Sequence, residues 1–492
     1  MALDPTTPVL IGYGQVNQRD DTSPLLEPVD LIAAAARAGA SETVLRAVDS
    51  IRLVRMLSWR YRDPGLLLGQ RLGAEPTTTE YVGDGGNGPQ TLLNRACTDI
   101  SAGKASVVLI GGAETWRTRM RLKKQGRRPD WTQQQDDVPR AQNTVGSVPM
   151  NGHAEEQSGL DRPAHVYPLF EQAIRLSSGS TASEHSQKIA ELWSTFNAVA
   201  VENDHAWVRT PFTADEIATP SPDNRLICDP YTKLMNSNNS VEQAAALVLT
   251  SVAKARSLGV PQQDWIFPIA GTDAHDTYAI SERHRLDRSP AIRIAGREVL
   301  QLAGMGIDDV DFVDIYSCFP SAVQIAATEL GLPLSGSDRP LTVTGGLSFA
   351  GGPWNNYVSH SIATMAERLR ANPGSSGLVT ANGGYLTKHA FGIYSTEPPQ
   401  HGFRWADTQS EVDRLPTVVA DHTWRGSGTI ESWTVTYDRD GSPETGLIAV
   451  RTPTGGRTLA AIDDADQVRQ MLDSEPAGMN VTVGEGRVAT FS

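Results

Sequence analysis

The chain has 492 residues, a formal net charge of −14, 39% hydrophobic and 20% charged residues. This length leaves room for two or three domains with sizeable cores, and the composition is that of an ordinary soluble globular protein. The acidic balance argues against a nucleic-acid partner for the chain as a whole, and no apolar run approaches the length of a membrane span.

In chain order, residues 9–14 read as a strand and turn, 29–40 as a helix, 49–54 as a second strand and 64–72 as a short helix. The stretch 80–116 is the most informative. Tyr81 and Val82 close an extended run, and Gly83, Gly85, Gly86 and Gly88 form a turn. Pro89 suits the first turn of a helix, where its missing N–H costs little. Leu92, Leu93, Ala96, Cys97 and Ile100 recur at helical spacing, and Gly103 ends that helix. Residues 105–110 form a short strand covered on both sides, followed by Gly111-Gly112-Ala113-Glu114. Strands alternating with helices predict a layered α/β fold with a mainly parallel sheet.

A basic run, RTRMRLKKQGRR at 117–128, follows directly. It reads either as a solvated loop or as a phosphate-facing one, since Arg and Lys are the usual partners of phosphate groups. A Ser/Thr/Gly-rich break at 177–183 separates two helices, 167–176 and 182–203. The second half then repeats the first in outline. A helix includes 299–303, a strand covers 310–315, and Tyr316-Ser317-Cys318-Phe319-Pro320 leads into a helix through Leu330. A glycine-rich loop at 344–354 precedes a helix at 357–369, then a strand at 377–381 and Asn382-Gly383-Gly384-Tyr385. From about 398 the texture changes to short extended runs at 417–419, 430–437, 446–451, 457–461 and 480–483. With turn signals between them, these predict a small antiparallel β domain, barrel-like in outline.

The motifs of 80–116 resemble the centre of the thiolase superfamily. Gly103-Lys104-Ala105 and Gly111-Gly112-Ala113-Glu114 match its turn and strand end, and Tyr316-Ser317-Cys318-Phe319 matches the His-Asp-Cys-Phe motif of the sterol-carrier-protein class. Gly351-Gly352-Pro353 matches Gly-His-Pro, and Thr380-Ala381-Asn382 falls on the last catalytic loop, Cys-x-Gly. Val241-Glu242-Gln243 departs from the family's usual pattern before Ala244-Ala245-Ala246. The resemblance spans about 5–397 and implies an α/β thiolase fold: two similar βαβ halves in five layers, αβαβα. It divides the chain into an N-terminal half (1–121), a helical, CoA-facing loop domain (122–224), a C-terminal half (225–397) and an additional β domain (398–492).

Thiolase chemistry needs a thiolate nucleophile, a second acid/base and donors for oxyanions. A helix N-terminus suits the thiolate because it lowers the pKa. By the family's spacing that position is Gly86, and the usual histidine position is Gly352. Glycine at both sites is read as enlarging the cavity. Cys97 lies eleven residues past Gly86, roughly 16 Å along a helix, and reads as a core residue. The remaining catalytic candidates are Cys318, Tyr316 and His389. Cys318 is either the class's acid/base or a small apolar residue at a turn. Tyr316 either donates to a thioester or keto oxygen or packs. His389 is either a general base or a structural histidine, and His360 reads as packed or solvated. The resemblance implies CoA or acyl-CoA as ligand, with Arg117, Arg119, Arg121 and Lys123 toward the phosphates. Asn382, Gly383 and Gly384 would offer backbone N–H groups to a carbonyl or oxyanion.

Three cysteines, odd in number and far apart, and a start without a basic then apolar leader fit a cytoplasmic protein. No metal-ligand spacing occurs. The expected function is acyl-CoA binding in lipid metabolism, with acetyl-CoA acyltransferase ancestry and without classical thiolase turnover. Two alternatives stand beside it. One is a cysteine-independent carbon–carbon lyase or condensing enzyme using Tyr316, Tyr385, Cys318 and His389. The other is a scaffold whose β domain docks a partner protein. Both monomer and homodimer remain open.

Overall fold

Strands in which nearly every residue is buried form the centre of the molecule, and a computed structural model describes residues 3–19, 25–142, 148–335 and 339–492. The first half contributes β1 (Pro8–Asn17), β2 (Ser50–Val54), β3 (Thr78–Val82) and β4 (Val107–Thr115). Every residue of β2 and β4 is buried; β4 accordingly opens on a continuous apolar run, whereas β2 carries a buried Arg52 that pairs with Asp99 (2.7 Å). After a short hairpin, β5 (Leu226–Cys228) and β6 (Tyr231–Thr232), the chain returns as β7 (Glu242–Ser251), giving the order β1-β7-β4-β2-β3. The second half supplies β8 (Phe267–His275), β9 (Phe312–Asp314), β10 (Ser376–Gly383), β11 (Lys388–Ser395) and β12 (Arg404–Asp407), in the order β12-β8-β11-β10-β9.

Both sheets are mixed, which corrects the expectation of a mainly parallel sheet. β2 is parallel to β3 and β4, but β7 runs antiparallel to β1 and β4. β11 follows β10 through a turn too short for a crossover, so the pair is antiparallel, and β11 is antiparallel to β8 as well. Strands β8 and β11 are additions to the sequence reading. β12 lies beyond the expected boundary at 397, yet it pairs in parallel with β8, so the thiolase-like frame runs on to Asp407.

Helices Gly88–Ser101 and Tyr357–Ala371 are packed between the two sheets. Pro28–Gly39 and Pro64–Leu72 cover the outer face of the first sheet, while Pro290–Ala303 covers the second and carries Pro320–Leu330. The result is five layers, α-β-α-β-α. A proline stands in the first turn of five of these helices, where its fixed φ is pre-organised and no N–H is lost. Among the described residues no helix is long and apolar enough to cross a membrane.

Three local devices fix the frame. Glu114 accepts from Leu57 N (2.7 Å) and Ser58 N (2.8 Å), stapling the end of β4 to the segment after β2; burial pushes its carboxyl up to about 7 against those bonds. The outer edge of β3 is covered by the chain itself: Tyr81 N donates to Gln142 O, and Gln142 N to Thr79 O, both at 3.0 Å. In the loop region, helix Ala182–Glu202 opens on a Thr181–Glu184 capping box and meets Pro163–Ser178 through His185 Nε2 and Glu171 Oε1 (2.5 Å).

The C-terminal region holds β13 (Gly426–Tyr437), β14 (Pro443–Arg451), β15 (Arg457–Ile462), β16 (Asn480–Val483) and β17 (Ala489–Phe491), ordered β15-β14-β13-β16-β17 with β5 joining at β13. Its two ends meet at an Ala461–Val488 bridge, so the sheet curls toward a barrel. Helix Ala465–Asp473, which the sequence reading did not assign, places Val468 and Met471 on the core of this unit. Residues 417–419, expected as a strand, are a linking run instead: Val418 N donates to Glu282 O and Arg457 N to Val419 O. Arg457, fully buried, pairs with Glu431 (2.7 Å) and donates to the carbonyls of Ile280, Ser281 and Arg283, which seats the β unit on the frame.

Candidate functional site

The loop that the sequence singles out runs from the end of β3 into helix Gly88–Ser101. Gly85 has φ +152°, a conformation side chains rarely adopt, and its N–H donates to Asn355 Oδ1 (2.9 Å). Gly86 is constrained differently. A Cβ built there would stand 2.8 Å from Tyr316 Cζ and closer still to the Tyr316 hydroxyl and the Asn382 carbonyl oxygen. The phenol of Tyr316 therefore fills the volume that a nucleophile at position 86 would need. At Gly352 a Cβ would meet Asn239 Oδ1 at 2.8 Å. Both glycines are thus packed against other side chains, and the expected enlargement of the cavity is overturned: residues from distant parts of the chain occupy the space.

Tyr316 follows β9 and is anchored through its N–H to Thr380 Oγ1 (2.9 Å), the residue at the start of the Cys-x-Gly position. Burial raises its phenol well above the ordinary tyrosine value. Cys318, two residues on, is buried, and burial pushes its thiol up to about 12, so it stays protonated at neutral pH. Asn382 Nδ2 reaches Cys318 Sγ at 3.8 Å and Tyr167 Oη at 2.9 Å, while its Oδ1 has no hydrogen-bond partner. Tyr167 donates to Gly384 O (3.3 Å), accepts from Leu386 N (2.9 Å) and stacks on Phe319 with ring centres 4.5 Å apart. Gly383 packs its backbone against Gly85 and Gly86, and Gly384 takes φ +73° at the turn.

His389, on β11, sits beneath this loop and is 2% exposed. Its Nε2 lies 3.4 Å from Asp276 Oδ2 and 3.3 Å from Leu386 O. Asp276 also takes bonds from Ser289 Oγ and Ala291 N. Burial works to raise the Asp276 carboxyl, but the His389 hydrogen bond and the nearby Arg283 charge outweigh it and hold the group below its usual range. Tyr316, Asn382 and His389 line one cavity of about 10 Å³, enough for a single water at most. Cys318 is not part of that lining. A much larger cavity, about 920 Å³, lies between helix Ala182–Glu202 and the segment around Leu341. It touches Gln324, whereas Ala322 and Ala326 of the same helix face the small one, so a single helix separates the two.

The basic run forms helix Trp116–Lys124 and its exit. Arg117 packs over Trp207 and donates to Arg19 O; Arg119 donates to Leu57 O (2.8 Å) and lies over Trp116. These two arginines bind the protein itself. Arg121 borders an open groove, and Lys123 is exposed. Cys97 is fully buried in the central core, and His360 is buried with Nδ1 on Gln15 Oε1 (2.9 Å).

A family profile described as the additional C-terminal domain of thiolase-like protein type 1 matches residues 407–487. Across the whole length, the chain is 33% identical to a monomeric SCP2-thiolase-like protein type 1 from Mycobacterium smegmatis, covering 100% of both chains with a TM-score of 0.84. The chain belongs to this thiolase-like type 1 family. An Ltp2-ChsH2(DUF35) aldolase shares the fold at 18% identity and TM-score 0.61, over 79% of this chain and 98% of that one. Among curated proteins, an acetyl-CoA acetyltransferase from Methanocaldococcus jannaschii is 24% identical over 266 residues, 54% of this chain and 60% of that relative's length.

For this thiolase-like type 1 chain, three residues of the site were beyond sequence reasoning. Tyr167 ties the loop after β10 to Asn382, Asp276 braces His389, and Asn239 fills the space beside Gly352. Only Tyr167 lay in a stretch that the sequence reading had assigned, the start of the helix at 167–176.

Proposed function

We propose that this chain is a cytoplasmic, thiolase-like acyl-CoA-binding protein of lipid metabolism that does not carry out thiolysis. The observation that supports this most is the Tyr316 hydroxyl standing in the volume of a nucleophile at Gly86. Thiolysis requires a thiolate at that point to accept the acyl group. The buried thiol of Cys318 stays protonated at neutral pH, and Cys97 is sealed in the core. The cavity at Tyr316, about 10 Å³, is too small for an acyl thioester, and the Tyr316 hydroxyl and Asn382 carbonyl crowd Gly86 itself, so a bound acyl-CoA stops short of that point. The cavity of about 920 Å³ behind the Pro320–Leu330 helix has the volume of a ligand site and apolar walls including Leu192, Val199 and Leu341. The test is a turnover assay with acetoacetyl-CoA and CoA alongside calorimetry with CoA and acyl-CoAs. Binding without thiolysis is expected. Thiolysis, or no binding at millimolar ligand, overturns the reading.

A second reading, a carbon–carbon lyase, rests on the convergence of Tyr316, Asn382 and His389 on a single cavity, with His389 braced by Asp276, and requires that cavity, which holds one water at most, to open to the substrate. Such a braced histidine can hold or pass a proton and a phenol can donate one. Cleavage of a β-hydroxyacyl-CoA that survives both Tyr316→Phe and His389→Ala would remove these residues from that role.

A further inference from the structure

The chain has seven lysines, and Lys388 differs from the other six in where it lies. Lys104, Lys123, Lys124, Lys188 and Lys233 are exposed, and Lys254 belongs to the short helix Val252–Ser257. Lys388 opens β11, across from Gly383 on β10 and His275 on β8, and is half-buried. Its side chain reaches the glycine loop before the central helix. A Cβ built at Gly85 would stand 2.9 Å from Lys388 Nζ and 3.2 Å from its Cε. The ammonium donates to the backbone carbonyl of Asp84. The carboxylate of Asp84 is taken instead by Arg55 (2.7 Å) and Asn355 Nδ2 (3.2 Å), so Lys388 sits at the loop without an ion-pair partner among the described residues.

These surroundings favour the neutral amine. Burial works against the charged form, outweighs the attraction of Asp84 and holds the Lys388 pKa below the ordinary lysine value. Asp84, paired with Arg55, is the charged group that acts on Lys388, and His275 is its cross-strand neighbour. Helix Gly88–Ser101 begins at the same loop, and the positive end of a helix disfavours a cation beside it. The first N–H groups of a helix also lack intrahelical acceptors, so they are donors for the oxygen of a carbonyl brought to the loop. A partly desolvated lysine of this kind is a nucleophile, and it is half-buried rather than sealed, so solutes reach it.

We propose that Lys388 is an acyl-acceptor site, its Nζ attacking the carbonyl carbon of an acyl thioester that arrives at the Gly85 loop. The C–N bond forms, the C–S bond breaks, and the proton lost from the amine ends on the departing thiol. The product is an amide on Lys388, so each chain reacts once. The proposal rests on the acyl-CoA reading for the source of the thioester. It gives that reading an endpoint: a thioester stopped short of Gly86 by the Tyr316 phenol meets an amine at Gly85.

The test is peptide mass spectrometry on the full chain after timed incubation with acetyl-CoA, with the acetyl thioester of N-acetylcysteamine, and with acetic anhydride. The anhydride reads the intrinsic reactivity of each amine, and the small thioester reads acyl transfer without the nucleotide. Lys388 should be acetylated several-fold faster than any other lysine with all three reagents, with the largest advantage for acetyl-CoA. Its rate should level off at a lower pH than theirs, since its free amine appears first. Lys388→Arg keeps the charge at a half-buried position and should remove this mark while leaving the other six lysines and the thermal midpoint unchanged. Acetylation of Lys388 no faster than that of the exposed lysines overturns the site, and leaves the acyl-CoA reading to be decided by calorimetry. Preference for Lys388 with the anhydride and the small thioester, with no further gain from acetyl-CoA, keeps the site and overturns the acyl-CoA reading.

Discussion

Tyr316 and Gly86 are best described together, because each makes sense only beside the other. Gly86→Cys alone drives a side chain into the phenol and should cost about 1–3 kcal/mol, the usual range for overpacking. Tyr316→Ala alone removes a buried ring and leaves a void. In the double variant the two penalties should partly cancel, so urea unfolding of all four proteins should give a coupling above about 0.5 kcal/mol. Strict additivity would mean that the two positions do not compete for space. Asp276 yields a pH prediction. Its folded carboxyl lies below the ordinary value of 3.8, so its stabilisation is complete above that value and is lost as pH falls through the lowered one. The stability gap between wild type and Asp276→Asn should therefore be constant near neutrality and close in acid below pH 3.8.

At the scale of elements, the central helix was legible because its proline, its apolar spacing and the glycine that ends it all agree. Strands β8 and β11 were not, since their residues mix small, polar and aromatic types and carry no period. The relation of Tyr316 to Gly86 was also beyond reach: nothing local links positions 230 residues apart, so a glycine could be read only as missing volume and not as volume taken by another side chain. For the same reason the basic run read as one block, although Arg117 and Arg119 donate to the carbonyls of Arg19 and Leu57. The β unit depends on one buried charge. Arg457→Met would leave Glu431 to Arg451 alone and strip the carbonyls of Ile280, Ser281 and Arg283 of their donor, a loss of about 1–3 kcal/mol. Thermal unfolding should fall accordingly, and limited proteolysis should cut first in the linking run at 416–419.

For the whole molecule, the covering of β3 bears on assembly. An uncovered edge strand is a template for pairing with another chain, and here Gln142 uses the groups that would do so. Sedimentation of the protein at micromolar concentration should show a monomer. Gln142→Pro, which removes the N–H bonded to Thr79 O, should promote self-association, and a stable wild-type dimer would locate the contact on another face. The division into two halves, a helical insertion and a terminal β unit was readable from texture and motif order. The extent of the frame was not, because β12 looks like loop sequence until β8 is beside it.

The phenol beside Gly86 also has a historical consequence. Suppose a thiolase ancestor had cysteine at one of these positions and histidine at the other. A descendant holding glycine and tyrosine cannot walk back by single steps, because restoring the cysteine first collides with the ring and shedding the ring first empties the core. Each route passes through a less stable intermediate, so the exchange acts as a ratchet. Loss of the old chemistry is then held in place by packing, independent of whether any lineage still has use for it.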